Sequence, residues 1–450
     1  MKTPIPASRQ RGLRLLCRVV MAAFALLPGG AAHAEIKYVL HITIDGLRGD
    51  LLRNAIAAAP DSYPGFRKLI TEGASTFNAR CDFDYSETIP NHTGVVTGRP
   101  VVNPPGQTGV AHGYTSNGYS GNATTGDSVH KLGSAAYEYK FSSFDMAHDR
   151  GLSTAVYGGK TRFNLYVHSY NATKGAPDLV GVDNGKNKID FATVADLTTA
   201  ANLANIKTAV VADITAGTLR NYNLVHFTDT DTGQPGGGHN VGWESAAWQA
   251  ATVTEDGYLN AIFTALSTAG PGIQGKVAIV LSADHGGGGG GAGPGATADR
   301  NHGDASSVKN YTIPLFIWGP GIPPGVNTYS LFKNRFDPDA GRPNGASVYP
   351  QPLRNTDTGN IAMILLGLPP ITGSYFKPEP AGMPSLTIQD EALLLHWPKY
   401  MTGYIPESTD SLSSGSWVPK PGNIVETETE FQTTIPGKLD KRYWRLREPQ

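Results

Sequence analysis

Lys37-Tyr38-Val39-Leu40-His41-Ile42-Thr43-Ile44-Asp45-Gly46 is the stretch that decides the fold. Its apolar and β-branched run reads as a strand buried on both faces. It runs straight into Asp45, and Gly46 lets the backbone turn tightly beside a ligand. The same design returns twice. Val277 to Ser282 (V-A-I-V-L-S) leads into Asp284, and Asn223 to Phe227 (N-L-V-H-F) precedes Asp229 and Asp231. Ser153 to Tyr157 and Ile313 to Trp318 are further strand candidates, and Ala192 to Ala216 and Ser245 to Leu266 read as helices. Strands alternating with helical stretches predict an α/β fold with a doubly wound, mostly parallel sheet. Such sheets carry their sites outside the carboxyl ends of the strands. Asp45, Asp231 and Asp284 should therefore converge on one edge.

With 450 residues, one large domain plus a small appendage is expected. Residues 1–34 read as a signal peptide. Arg9, Arg11, Arg14 and Arg18 make a basic start, Val19 to Leu27 is apolar, and Ala32-His33-Ala34 offers a cleavage site before Glu35. The apolar run is too short to span a bilayer, and no later stretch reaches about 18 apolar residues. The expected location is periplasmic or extracellular, with no membrane span. Losing Lys2 and the four arginines takes the net charge from −1 to −6. That balance argues against a general nucleic-acid binder, and no duplex is expected as a partner. Cys17 leaves with the signal, so Cys81 stays as a single thiol with no internal disulfide.

The expected catalytic domain covers residues 35–377. A Pro-rich break over 378–385 (P-E-P-A-G-M-P-S) reads as a linker. Residues 386–450 then read as a small β-sandwich-like module held by Trp397, Trp417 and Trp444, able to contact a surface or a glycan. Pro100 to Ser134, rich in Gly, Asn, Thr and Tyr, is expected to loop over the site. The six glycines Gly286 to Gly291 lack the Lys and Ser/Thr of a P-loop and read as a mobile loop.

Six metal-ligand candidates fall into four motifs: Asp45 in I-T-I-D-G, Asp231 and His239 in T-D-T-D followed by G-H, Asp284 and His285 in A-D-H-G, and His302 in N-H-G. Three carboxylates and three imidazoles suffice for two divalent-metal sites, and the imidazoles favour zinc. Asp229 competes with Asp231 for the ligand role. His226 lies inside an apolar run and reads as core. Thr88, in E-T-I-P-N-H, reads either as a helix cap or as a nucleophile beside a helix starting near Pro90.

In this order the motifs resemble the alkaline phosphatase superfamily. T-I-P-N-H-T-G-V-V-T-G from Thr88 is similar to its type I phosphodiesterase/nucleotide pyrophosphatase branch, and the likeness covers residues 36 to 375. The resemblance implies that Thr88 is the nucleophile, with Asp45, Asp284 and His285 holding the metal that activates it. It implies that Asp231, His239 and His302 hold the metal at the leaving group. It also implies an asparagine on the phosphoryl oxygens, for which Asn117 in H-G-Y-T-S-N is the candidate. The implied activity is cleavage of a phosphodiester or pyrophosphate in a small phosphorylated substrate, through a phospho-threonine. Two departures stand out: Gln234 to Gly237 lengthens the Asp231–His239 spacing, and Pro100 to His112 is long. A sulfatase would need C/S-x-P-x-R where this chain has T-I-P-N-H. A phosphomonoesterase or phosphonate hydrolase is the rival reading, with Lys160 and Arg162 as substrate-binding cations. A secreted binding protein without catalysis is the further alternative.

Overall fold

The strand β1 (Tyr38–Ile44) lies in the interior of an eight-stranded sheet, bonded in parallel on both sides. This computed structural model describes residues 36–119, 127–195, 200–233, 236–290, 298–338, 351–381, 385–389, 392–398, 405–410, 416–420, 422–426, 430–435 and 443–447. The proposed signal segment lies outside them. The other strands are β2 (Ala74–Arg80), β3 (Thr154–Gly158), β4 (Phe191–Val194), β5 (Tyr222–Phe227), β6 (Val277–Ser282), β7 (Thr312–Trp318) and β8 (Val326–Asn327). Their order is β4-β3-β5-β1-β6-β7-β2-β8, and only β7 runs against its neighbours. The sheet is therefore mostly parallel, as the strand–helix alternation predicts.

Register explains why the β1 text is so apolar. Ile42 pairs with Val225 on one side and Leu281 on the other, and all three are fully buried. Helices cover both faces. Gly49–Ala58, Pro64–Glu72, Ala200–Ala216 and Ala246–Thr268 form one layer; Thr88–Thr97, Ser143–His148 and Thr358–Leu365 form the other. His41, on β1, bridges to the second layer through Tyr222 Oη (2.9 Å) and Thr358 Oγ1 (2.8 Å).

The structure corrects the predicted helix over 192–216. Residues 191–194 pair with β3 as an edge strand, and the helix starts at Ala200. Phe191 packs against Tyr157 there, so a cross-strand contact overrides the alanine-rich text. Ser245 caps the long helix by accepting from Trp248 N.

Beyond residue 381 the described strands are all antiparallel. β9 (Ser385–Gln389), β10 (Ala392–Pro398), β13 (Ile424–Glu426) and β14 (Glu430–Ile435) make one sheet. β11 (Ile405–Thr409), β12 (Val418–Pro419) and β15 (Tyr443–Arg447) make another. Trp397 is buried against Phe431, whereas Trp417 and Trp444 are half-buried. Among the described residues, no helix is long and apolar enough to cross a membrane.

Candidate active site

Three strands end together. Asp45 follows β1 directly, Asp284 lies just past β6, and Asp231 lies in the turn after β5. Gly46 adopts φ 68°, the left-handed turn its sequence position suggests. Asp45, Asp284 and His285 each offer one ligand atom within 4.8 Å of the others, and so do Asp231, His239 and His302. The six sequence candidates thus meet as two trios.

Each carboxylate has one oxygen engaged and one bare. Asp45 Oδ2 takes Lys160 Nζ (2.6 Å) and His226 Nε2 (3.1 Å). Asp231 Oδ2 takes the same Lys160 Nζ at 2.6 Å. Asp284 Oδ1 accepts from Gly46 N (3.0 Å) and His285 N (2.9 Å). Asp45 Oδ1, Asp231 Oδ1 and Asp284 Oδ2 are buried without a hydrogen-bond partner, as is His285 Nε2. Orphaned buried polar atoms are rare and need an explanation.

The imidazoles are prepared alike. His285 Nδ1 donates to Gly286 O (2.7 Å), His239 Nδ1 to Arg300 O (3.1 Å), and His302 Nδ1 to Ser86 O. A carbonyl can only accept, so each ring carries a proton on Nδ1 and turns Nε2 toward its trio. His285 Nε2 faces Asp45 Oδ1 (3.5 Å) and Asp284 Oδ2 (3.3 Å). His239 Nε2 faces Asp231 Oδ1 (3.4 Å) and His302 Nε2 (2.9 Å). Two such nitrogens at that distance need either a shared proton or a cation between them. Burial pushes His302 down to about 3 and lowers His285, which keeps both rings neutral. The donor set, three carboxylate oxygens and three imidazole nitrogens, fits two divalent cations of the zinc type.

Charge points the same way. Burial opposes ionisation of Asp45, but Lys160 and His226 hold it well below the usual carboxylate range. Burial, and then the Asp45 carboxylate, pushes Asp284 well above it. Three carboxylates face one ammonium, so the site lacks positive charge. A third trio, His148, Asp149 and Asp178, contrasts with this. There, buried Lys188 bridges both carboxylates, and neither has an orphaned oxygen.

Thr88 is the first residue of the helix Thr88–Thr97, so it stands inside the first turn and not before a helix at Pro90. It lines a cleft of about 500 Å³ with Asn117, Lys160, Arg162, Asp231, His239 and His302. Asn117 Oδ1 accepts from Ile89 N at 3.0 Å, which ties the Pro100–Ser134 loop to the helix start. Residues 120–126 of that loop lie outside the described residues. Lys160, its side chain 13% exposed, bridges the two trios through Asp45 and Asp231.

Asp229 belongs to neither trio, although its Oδ2, like the oxygens above, is buried without a hydrogen-bond partner. Its Oδ1 accepts from Tyr258 Oη (3.0 Å), and burial raises it to about 6. His226 is more than core: Gly159 N donates to its Nδ1, so its Nε2–H is aimed at Asp45. Its place shortly before the Asp229/Asp231 pair is the one hint the sequence offers, and periodicity assigns it to the sheet. Residues 286–289 are not loose either. Gly286 N, Gly287 N and Gly288 N donate to Asn310 O, Lys309 O and Asn301 O, and Gly289 N donates to Asn310 Oδ1.

Residues 39–290 match the family model described as Type I phosphodiesterase / nucleotide pyrophosphatase. No curated protein matches. Among solved structures, a protein in the alkaline phosphatase superfamily from Vibrio parahaemolyticus is 15% identical, with 86% of this chain and 82% of that chain covered and a TM-score of 0.41. Wild-type alkaline phosphatase PafA is 14% identical, with 76% and 98% covered and a TM-score of 0.48. An inactive murine ectonucleotide pyrophosphatase/phosphodiesterase 5 in complex with AMP is 13% identical, with 75% and 96% covered and a TM-score of 0.41.

Proposed function

Because the chain belongs to the type I phosphodiesterase/nucleotide pyrophosphatase family, and is thus a phosphoester hydrolase, we propose that it cleaves phosphodiester or pyrophosphate bonds through a phospho-threonine at Thr88. The observation that carries this reading is the pair of ligand trios, with Asp45 Oδ1, Asp231 Oδ1, Asp284 Oδ2 and His285 Nε2 buried without a hydrogen-bond partner, and with Thr88 lining one cleft together with Asp231, His239 and His302. Asp45, Asp284 and His285 would hold one divalent cation, zinc by donor type, and Asp231, His239 and His302 a second. When bound, such cations supply acidity to a nearby hydroxyl and neutralise charge on a leaving oxygen.

The chain's own residues do the rest. Thr88 Oγ1 gives its proton to solvent and bonds to phosphorus as the P–O bond on the opposite side breaks, the leaving oxygen taking the bond's electron pair and then a proton from solvent. Water then breaks the Oγ1–P bond, releasing phosphate or a phosphomonoester and restoring Thr88. With Asn117 Oδ1 committed to Ile89 N, its Nδ2 is left to donate to the phosphoryl oxygens. The start of the helix at Thr88 adds a positive dipole end. The apolar, small-residue leader over 1–34 supports export to the periplasm or the extracellular space.

A phosphomonoesterase is the second reading, favoured by one observation. Lys160 and Arg162 both line the cleft, and a monoester brings one more negative charge than a diester. The deciding experiment assays monoester, diester, pyrophosphate and sulfate substrates with the zinc-loaded protein and with Thr88→Ala. Turnover of a diester that Thr88→Ala leaves unchanged would sink the proposed mechanism. Turnover of the monoester alone would replace the first reading by the second.

A further inference from the structure

Three of the four ligand motifs are packed around one indole. Trp243 is fully buried, and its Nε1 donates to Gly46 O at 2.8 Å, in the turn that follows Asp45. Its ring centroid lies 5.4 Å from that of His239 and 5.9 Å from that of His302, both near edge-on. A Cβ on Gly238 would come within 2.3 Å of the indole, and one on Gly287 within 2.0 Å. Both glycines are therefore required by close approach. Gly238 immediately precedes His239, and Gly287 belongs to the run that follows His285.

His239 needs such a support. It sits on the four-residue helix Gly238–Val241 with its side chain 37% exposed. So short a helix has no stability of its own and takes its order from packing. His302, by contrast, is stacked on His285 at 3.7 Å between centroids and tied to Ser86 O. The indole spans the gap between the short His239 helix and the Asp45 turn. It is planar and stiff, with its single donor satisfied.

We propose that Trp243 is a positioning residue for the Asp231–His239–His302 trio, setting the distance of that trio from the Asp45 turn. The inference rests on the two-cation reading above. It assigns Trp243 no contact with substrate. It also gives the glycine run a purpose: Gly287 clears space for the ring.

The test uses the full-length protein, stripped and titrated with zinc against a chromophoric chelator. Trp243→Phe keeps a ring but loses the N–H donor; Gly287→Ala pushes on the indole from the other side. The wild type should bind two equivalents. In each variant one equivalent should weaken by about tenfold or more, as for other residues that orient metal ligands, while the other keeps its wild-type affinity. A merely structural role would weaken both equivalents together. Equal weakening, or wild-type affinities in both variants, overturns the inference. If Trp243→Phe fails to fold, Gly287→Ala decides alone. A wild-type protein that binds no zinc overturns the two-cation reading and this inference with it, whereas unchanged variants of a two-zinc wild type overturn only this inference.

Discussion

The Nε2–H of His226 points at Asp45 Oδ2 from 3.1 Å, inside the sheet where both residues are fully buried. The bond engages Oδ2 and leaves Asp45 Oδ1 without a hydrogen-bond partner, open to the proposed cation. Removing such an outer partner typically costs about 10–100-fold in metal affinity. His226→Leu should therefore lower zinc affinity by that order, read by chelator competition. An affinity equal to wild type would show that Lys160 alone orients Asp45.

Asp229 and Asp231 should separate cleanly. Asp231 faces both histidines of its trio, whereas Asp229 is held by Tyr258. Asp231→Asn should lose one zinc equivalent, and Asp229→Asn should retain two. Elemental analysis of the dialysed variants checks this, and the reverse pattern would exchange the two roles.

Asn117 lends itself to an isosteric change. Asn117→Asp keeps the acceptor for Ile89 N and removes the Nδ2 donor. Loss of one such donor costs on the order of 10²–10³ in kcat. We expect that loss in kcat with zinc stoichiometry unchanged, measured by steady-state kinetics on a diester. A change confined to KM would assign Asn117 to ground-state binding.

Stability should depend on pH through His41. Burial between Tyr222 and Thr358 pushes it from 6.5 down to about 3. Between those values the unfolded chain binds a proton that the folded chain does not. Stability therefore rises with pH across this window and is lost on acidification, by about 1.4 kcal/mol per pH unit from this group. Denaturant unfolding of His41→Gln between pH 4 and 6 should show a slope shallower by about that amount. Parallel slopes for variant and wild type would remove His41 as the cause.

Much of the scaffold is legible in the text because buried parallel strands are locally encoded. Tyr38–Ile44, Tyr222–Phe227 and Val277–Ser282 are predominantly apolar runs with acids close behind, and each strand lies within a residue of its predicted bounds. The edge strand Phe191–Val194 is not legible, since its text is that of a helix start and only pairing with β3 makes it a strand. β2 (Ala74–Arg80) is equally quiet in sequence; it is polar at alternate positions and defined by its antiparallel partner β7.

At the site, residue type and strand-end position are properties of the chain, so Asp45, Asp284, His285 and the Asp229/Asp231 pair could be named from the sequence alone. Which oxygen is bare, which imidazole nitrogen carries the proton, and which of two aspartates faces the histidines depend on atoms far away in the chain. His226, Lys160 and Trp243 act on Asp45 or its turn from 181, 115 and 197 residues away. The sequence by itself determined the residue types of the candidate site and the sheet that gathers them, because both follow from local chemistry and periodicity. Only the tertiary structure decided their orientation, because hydrogen-bond direction and close packing are set by partners that folding alone brings within reach.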